Sequence, residues 1–259
     1  METLKLTAEH FKQSNSYWKD YIGIIDVSDY QWHIEIDSNL WYVRFAKIKA
    51  SWRIVALAGT WIEAGTWIEA GEWIKAGWWI EAGEWIKAGW WIEAGEWIKA
   101  GEWIKAGEWI EAGEWIKAVW WIKAGEWIKA GWWIEAGEWI KAGWWIEAGE
   151  WIKAGEWIKA GWWIEAGEWI KAGLSITCKL SLSFSYKLFA GICYWRNIDD
   201  SEKTITCGKK EGTGVIEYGI LVETGLPDEN LEWTMVLQDI AEDNTITVLG
   251  KKYKLTPIE

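Results

Sequence analysis

A six-residue repeat dominates the sequence and constrains the fold more than any other feature. From Trp61 to Trp169 a Trp recurs at every sixth position, nineteen times without a miss, and each is followed by Ile, then Lys or Glu, then Ala. This period does not match the heptad of a coiled coil, and a Gly in nearly every hexad costs a helix roughly 1 kcal/mol each time. Short β-segments separated by Gly are typical of a solenoid whose coils stack about 4.8 Å apart. We therefore predict an all-β, single-stranded parallel β-solenoid (β-helix).

Alternation along each strand assigns the side chains to two sides. In Trp-Ile-Lys-Ala the Trp and the charge share one side, while Ile and Ala share the other. Charged groups at every hexad are too costly to line a dry interior. We therefore expect Ile and Ala to point inward, and Trp and the charged residue to point outward. Gly is expected at each corner because it adopts a positive φ at little cost.

An internal duplication indicates how many hexads close one coil. Residues 77–118 and 131–172 are identical except at one position, Glu108 against Trp162, and they lie 54 residues apart. Three coils of eighteen residues keep every residue in its column at this offset, whereas coils of twelve leave half a turn over. The sequence therefore favours a triangular coil of three hexads.

The residue before each repeat Trp is coupled to the charge three positions later. Where the first is Glu, the second is Lys in ten of eleven hexads, as in Glu72 and Lys75; where it is Trp, the second is Glu in five of six, as in Trp78 and Glu81. Balance of charge along stacked columns is the physical explanation that we expect, because neighbouring opposite charges attract.

The regular hexads give way to less regular sequence on both sides. We predict an N-terminal cap over residues 1–37, a solenoid over 38–223 whose regular hexads occupy 58–173, and a C-terminal cap or appendage over 224–259. Caps are expected because open strand edges invite end-to-end pairing. A short polar helix is predicted around Ala8 to Ser14, and ITVLGKKYKL resembles a hairpin with its turn at Gly250.

Charge and segment composition limit the partners and the location. The net charge is -12, which disfavours direct binding to nucleic acid or to an anionic membrane surface. A charge in every hexad rules out a transmembrane helix, and the first residues contain no signal-peptide pattern. The odd number of Cys and their spacing predict reduced, packed thiols at Cys178, Cys193 and Cys207 in a cytoplasmic protein.

The sequence contains no recognisable catalytic or cofactor-binding pattern. His10 and His33 are the only His residues, and a lone imidazole in an alternating strand is expected to be a surface or cap residue. The spacing supports no set of nucleophile, base and orienting group, and the Glu residues recur with the repeat instead of forming a pair. We therefore predict that the protein is not an enzyme and needs neither a cofactor nor a metal.

The repeat and the segment that follows it resemble a known group of proteins. The IKAG and IEAG hexads, closed by LFAGICYWRN at residues 188–197, are similar to uncharacterised bacterial and phage-associated IKAG-repeat proteins. The resemblance covers about residues 55–223. It implies a β-solenoid carried on mobile elements, and it brings no activity with it.

Three functions are compatible with these features. The first is a non-enzymatic interaction protein that presents a rigid acidic solenoid to a host protein, as a DNA mimic or anti-defence inhibitor. The second is a structural or fibre-forming protein that self-associates through its Trp faces, and the third is a carbohydrate-binding solenoid. Regularly placed Trp residues are expected to pack on one another, so the candidate contact surface consists of the less regular Trp residues before the repeat Trp: Trp78, Trp90, Trp120, Trp132, Trp144 and Trp162.

Overall fold

The chain folds into a three-sided parallel β-solenoid, so the predicted fold class is confirmed. Three long sheets contain 11, 12 and 11 strands, and consecutive strands of the repeat lie in different sheets. In the described part of the chain no helix is long and apolar enough to cross a membrane. The structure, a computed structural model, describes residues 3–10, 12–13, 19–20, 24–26, 33–37, 39–56, 59–226, 245–248 and 251–254.

We call the three sheets face 1, face 2 and face 3, in the order in which the chain passes through them. Face 1 contains Thr3–Leu6, His33–Ile36, Arg53–Ala56, Trp73–Ala76, Trp91–Ala94, Trp109–Ala112, Trp127–Ala130, Trp145–Ala148, Trp163–Ala166, Ser181–Phe184 and Lys209–Glu211. Face 2 contains Lys12–Gln13, Lys19–Asp20, Tyr42–Phe45, Trp61–Ala64, Trp79–Ala82, Trp97–Ala100, Trp115–Ala118, Trp133–Ala136, Trp151–Ala154, Trp169–Ala172, Lys187–Ala190 and Val215–Tyr218. Face 3 contains Ile24–Asp26, Lys47–Ala50, Trp67–Ala70, Trp85–Ala88, Trp103–Ala106, Trp121–Lys123, Trp139–Lys141, Ile158–Lys159, Ile176–Thr177, Thr204–Cys207 and Ile220–Glu223.

The strand register confirms the eighteen-residue coil. Trp73 pairs with Trp91, and every residue of that strand pairs with its equivalent eighteen positions later. Coils near the ends are longer, since Ile54 pairs with Ile74 and Ile176 pairs with Ile205. The second of these offsets reflects eleven additional residues, which leave the solenoid as a loop.

Ile and Ala fill the interior, as the alternation predicts. Each repeat Ile from Ile62 to Ile170 is at most 1% exposed, and each repeat Ala is at most 3% exposed. Full burial of an Ile side chain contributes about 1.5–3 kcal/mol, so this narrow core is the main source of stability. Phe45 and Phe184 take the place of the inward Ala near the two ends of the regular region and are also buried.

The repeat glycines have a different role from the predicted one. None of the glycines from Gly83 to Gly173 has a positive φ, so conformational freedom does not explain them. A Cβ added to any of them would lie 1.7–2.0 Å from the carbonyl oxygen of the residue eighteen positions earlier. At these glycines the backbones of successive coils approach so closely that a side chain would force a local shift, and Val119 shows that one equivalent corner accommodates a side chain.

Parallel strands continue into the segment predicted as an N-terminal cap. Thr3–Leu6 pairs with His33–Ile36, and Ile24–Asp26 pairs with Lys47–Ala50. The predicted short helix is wrong in extent: of its described residues, Ala8–His10 forms a 3₁₀ turn and Lys12–Gln13 is extended, and positions 11 and 14 lie outside the described residues. A polar segment of this length has too few hydrogen bonds to offset helix nucleation. The capping role of residues 1–37 stays a prediction.

The last parallel strand of the solenoid is Ile220–Glu223. Beyond it, Thr245–Val248 and Lys251–Lys254 form an antiparallel pair, as expected for a hairpin. Two positions separate the strands, which is the commonest hairpin loop length, and Gly250 itself lies outside the described residues.

Candidate interaction surfaces

The chain turns between faces at three edges, each a column of residues from successive coils. Edge 1 precedes face 1 and consists of Glu72, Trp90, Glu108, Glu126, Trp144 and Trp162. Edge 2 precedes face 2 and consists of Trp78, Glu96, Glu114, Trp132, Glu150 and Glu168. Edge 3 precedes face 3 and consists of Glu84, Glu102, Trp120, Glu138 and Glu156.

Charge is segregated between the edges and the faces. The three edges hold eleven Glu and no Lys, whereas the faces hold all eleven Lys of the regular hexads together with eight Glu. The edges therefore carry a charge of -11 and the faces carry +3. The acidic character of the molecule lies on its three edges.

The predicted contact residues do not form one surface. Three of the six Trp lie on edge 1, two on edge 2 and one on edge 3. The structure brings together only Trp144 and Trp162, whose rings stack with centroids 5.5 Å apart, and both are half-buried. The other four are 42–49% exposed and separated from one another: Trp78, Trp90, Trp120 and Trp132.

The nineteen repeat Trp form three stacked columns, one on each face. Trp115, for example, has the ring of Trp97 at 4.4 Å on one side and that of Trp133 at 4.8 Å on the other. From Trp97 onward the stacked rings of these columns lie within about 10° of parallel. The predicted packing of Trp on Trp is confirmed, and it covers both ring faces of those Trp that have a stacked Trp in the coil before and in the coil after.

Charges on faces 1 and 2 pair between coils. Glu135 lies between Lys117, at 3.0 Å, and Lys153, at 2.6 Å. Burial raises the pKa of the Glu135 carboxyl, but the two ammonium groups outweigh it and hold the pKa below its ordinary value. Glu135 belongs to face 2. On face 1, burial raises the pKa of the Glu111 carboxyl, and the neighbouring carboxylate of Glu93 raises it further.

Face 3 departs from the expected balance of charge. Five Lys follow one another in a single column, with no Glu between them, and we call this column the lysine ladder: Lys87, Lys105, Lys123, Lys141 and Lys159. Lys87 pairs with Glu69 at 2.9 Å, but among the described residues the other four form no ion pair. Charge balance along columns is therefore wrong as a general explanation of the repeat pattern.

The edges contain like charges at close range. Glu126 follows Glu108 on edge 1, and burial together with this neighbour raises the pKa of the Glu126 carboxyl. The backbone holds the two residues together, since the amide of Glu126 donates to the carbonyl of Glu108 at 2.6 Å. A cationic partner would relieve the repulsion between such pairs.

The His residues do not form a reactive site. His33 was expected at the surface or in a cap, but its side chain is buried beside Trp52, with ring centroids 5.9 Å apart. Burial, together with the charge of Arg53, lowers the pKa of His33. His10 contacts Thr7 through Nδ1 at 3.1 Å. In the described ranges no group of three or more His, Cys, Asp or Glu is placed to hold a metal ion.

All three thiols are unpaired, as predicted. Cys178 directly follows the strand Ile176–Thr177 and Cys207 ends the adjacent strand Thr204–Cys207; both are buried, whereas Cys193 is partly exposed. Burial raises the pKa of Cys178 to about 12 and that of Cys207 to about 11. Neither buried thiol is therefore a reactive thiolate at neutral pH.

A loop over residues 191–203 is a surface feature that the sequence did not identify. It carries the highly exposed Tyr194 and Trp195, and Lys171 of face 2 lies over the Tyr194 ring at 5.9 Å. Arg196 and Glu202 brace the loop with an ion pair at 2.5 Å. The only sequence signal for it is the loss of the six-residue period after the LFAG segment.

Comparison with known proteins found no relative. No family model, curated protein or solved structure matches the chain. Function is therefore argued from the faces and edges of the solenoid.

Proposed function

We propose that the protein is a non-enzymatic interaction protein that presents the acidic edges of a rigid solenoid to a basic surface on a protein partner. The observation that carries this proposal is the segregation of charge, with eleven Glu and no Lys on the edges. An edge of a triangular rod is also its most protruding part, so its carboxylates can enter a basic groove. Complementary potentials of this kind direct association and select partners.

The density of the edge carboxylates supports a partner that otherwise binds nucleic acid. At about 4.8 Å per coil, the three edges together offer roughly one carboxylate per 2–3 Å of rod. Duplex DNA carries a charge about every 1.7 Å of its axis, so the two densities are comparable. An inhibitor of a DNA-processing or defence protein, carried by a phage or mobile element, is the form of this proposal that the IKAG resemblance supports.

The stacking of the Trp columns favours a structural role for them over carbohydrate binding. A sugar binds an aromatic side chain by lying on the face of its ring. Trp109 has Trp91 and Trp127 on its two ring faces, each with its centroid 4.8 Å away. Among the described residues, the exposed Trp on the edges, Trp41 and the exposed aromatic residues near the C-terminal loop leave room for such a contact.

Binding of a labelled dodecalysine peptide, measured by fluorescence anisotropy at two salt concentrations, tests the acidic edges. The test variant removes four carboxylates of edge 2 by Glu→Gln substitution. The control variant removes four carboxylates of face 1, so both variants change the net charge by the same amount. The test positions are 96, 114, 150 and 168, and the control positions are 93, 111, 147 and 165.

We expect the edge variant to bind the peptide about tenfold more weakly. Its binding should also depend less on salt, because a complex with fewer charge contacts releases fewer counterions when it forms. The face variant is expected to weaken binding less than about twofold. Equal weakening by both variants would show that net charge alone attracts the peptide. Binding that does not respond to salt would also refute the proposal.

A further inference from the structure

The coupling between each edge residue and the charge three positions later is not explained within one copy of the chain. The ion pairs on the regular faces join equal positions of adjacent coils, as Lys99 and Glu81 do at 2.6 Å. Within the described residues, no edge Glu forms an ion pair with the Lys three positions later, although this combination occurs in ten hexads. Ion pairs within one copy therefore do not account for the coupling.

Face 3 shows this most clearly. Lys105 and Lys159 of the lysine ladder are exposed, and neither forms an ion pair within the described residues. In the same rows, Glu102 and Glu156 of edge 3 are also without an ion pair. Among the described residues, face 3 therefore offers four ladder ammonium groups without an ion pair, Lys87 being paired with Glu69, and, across the Trp column, four edge 3 carboxylates without one.

We propose that face 3 is a self-association surface on which two copies of the solenoid lie side by side and parallel. A two-fold axis along the Trp column of face 3 places the lysine ladder of each copy opposite edge 3 of the other. Both columns repeat once per coil, so the match extends along the rod without slipping out of register. The matched rows are Lys87 with Glu84, Lys105 with Glu102, Lys141 with Glu138, and Lys159 with Glu156.

The remaining row fits the same arrangement. Lys123 of one copy is placed opposite Trp120 of the other, where an ammonium group over an indole is favourable. The repeat breaks its coupling rule at this row of face 3, since Trp120 is followed by Lys instead of Glu. A cation opposite an aromatic ring keeps the row attractive without a carboxylate.

Charge also selects the orientation and the face. In an antiparallel pair the lysine ladders would face each other, and the like charges would repel. On face 1, a parallel pair would place Glu108 opposite Glu111, which also repels. On face 2, Lys99, Lys117 and Lys153 already pair with Glu within the chain. Face 3 is the one on which the charges are both complementary and unpaired.

The area of face 3 suits a stable dimer. Its eleven strands, about 4.8 Å apart, extend over roughly 48 Å, and its width from edge to edge is about 15–20 Å. The whole face, at about 800 Å², equals the contribution of one partner to a standard protein interface, and the five charge-matched rows from Lys87 to Lys159 make up about half of it. This inference goes beyond the proposed function, because it requires no other protein and leaves edge 2, which lies opposite face 3, exposed.

Variants with reversed charges test the proposal, with the dimer dissociation constant measured by analytical ultracentrifugation. The ladder variant replaces Lys105, Lys141 and Lys159 by Glu, and the edge variant replaces Glu102, Glu138 and Glu156 by Lys. Each variant alone is expected to raise the dimer dissociation constant at least about tenfold, since each places like charges opposite each other. A chain with all six changes has the wild-type net charge and is expected to recover the dimer, as is an equimolar mixture of the two variants.

A matched control replaces Lys99, Lys117 and Lys153 of face 2 by Glu, and circular dichroism confirms that every variant retains its strands. This control is expected to change the dissociation constant less than about threefold, because face 2 lies outside the interface. A wild-type chain that stays monomeric at all concentrations would overturn the proposal. Failure of the six-change chain to recover would overturn it as well, as would binding of inorganic polyphosphate by face 3 in place of a second copy.

Discussion

At the corner of Gly113, the absence of a Cβ lets successive coils approach closely. A methyl group on Gly113 would lie 1.9 Å from the carbonyl oxygen of Gly95 in the coil below. The amide of Gly113 also donates to the carbonyl of Ala94 at 3.2 Å, which fixes the distance between the two coils. Val119 is the one departure in the regular corners, and its side chain is 54% exposed.

Replacing Gly113 by Ala should therefore lower the free energy of unfolding by about 1–3 kcal/mol, the usual cost of overpacking. Urea denaturation monitored by circular dichroism measures it. The matched change Val119→Gly, which removes a side chain at an equivalent corner, should alter stability by less than about 1 kcal/mol. Unchanged stability of Gly113→Ala would show that the corner has room for a side chain.

At the scale of the strand and its column, neighbours one coil apart determine the energetics. Each Trp packs on the equivalent Trp of the next coil, so a column gains aromatic contacts at every step. The columns of charged residues vary more than the Trp columns. On faces 1 and 2 a column holds Lys in some coils and Glu in others, whereas the lysine ladder of face 3 holds Lys in five successive coils. Glu135, between Lys117 and Lys153, is the clearest stabilising case.

Glu135→Gln should lower the free energy of unfolding by about 0.5–1 kcal/mol at pH 7, since its ion pairs are partly exposed. The pKa of Glu135 is held below its ordinary value of 4.5. Its contribution is therefore complete above that pH and disappears as the pH falls through the lower folded-state pKa. Urea denaturation at several pH values measures the difference between the two proteins.

Glu165→Gln is the control for this prediction. Glu165 follows Glu147 on face 1 and forms no ion pair within the described residues, so its removal should cost nothing. Equal losses in the two variants would contradict the role of the lysines. A difference between wild type and Glu135→Gln that persists at pH 2 would contradict the pKa argument.

At the scale of the whole molecule, much of the fold can be predicted from the sequence because one hexad is repeated with so little change. The 54-residue duplication indicates the coil length, and alternation identifies the inward Ile and Ala. The lysine ladder follows once Lys87 and Lys105 are placed one coil apart, but it is invisible when charge is read along the chain. The reason for Gly is not readable, because it depends on the distance between backbones in different coils. The long coils around Thr3–Leu6 and residues 191–203 lack a period from which to predict them.

Removing one complete coil tests this modular organisation. Deletion of residues 91–108 keeps every column in place, so the chain should fold with about a tenth less surface buried and a proportionally smaller urea m-value. Deletion of residues 91–99 shifts the alternation by an odd number and would turn Trp inward, so it should abolish cooperative unfolding. A folded nine-residue deletion, or an unfolded eighteen-residue deletion, would contradict the eighteen-residue unit.

Phe45 and Phe184 have a consequence for how such a chain can change in length. Phe45 pairs with Ala64 on face 2 and Phe184 pairs with Ala166 on face 1, and both rings are buried close to where the sequence ceases to repeat. Whole coils added between the two rings keep every column in place, while both termini keep their own sequences. The near-identical blocks 77–118 and 131–172 are the mark of such an insertion. Duplication or loss of whole coils would change the length of the solenoid in steps of about 4.8 Å without changing the sequence at either end.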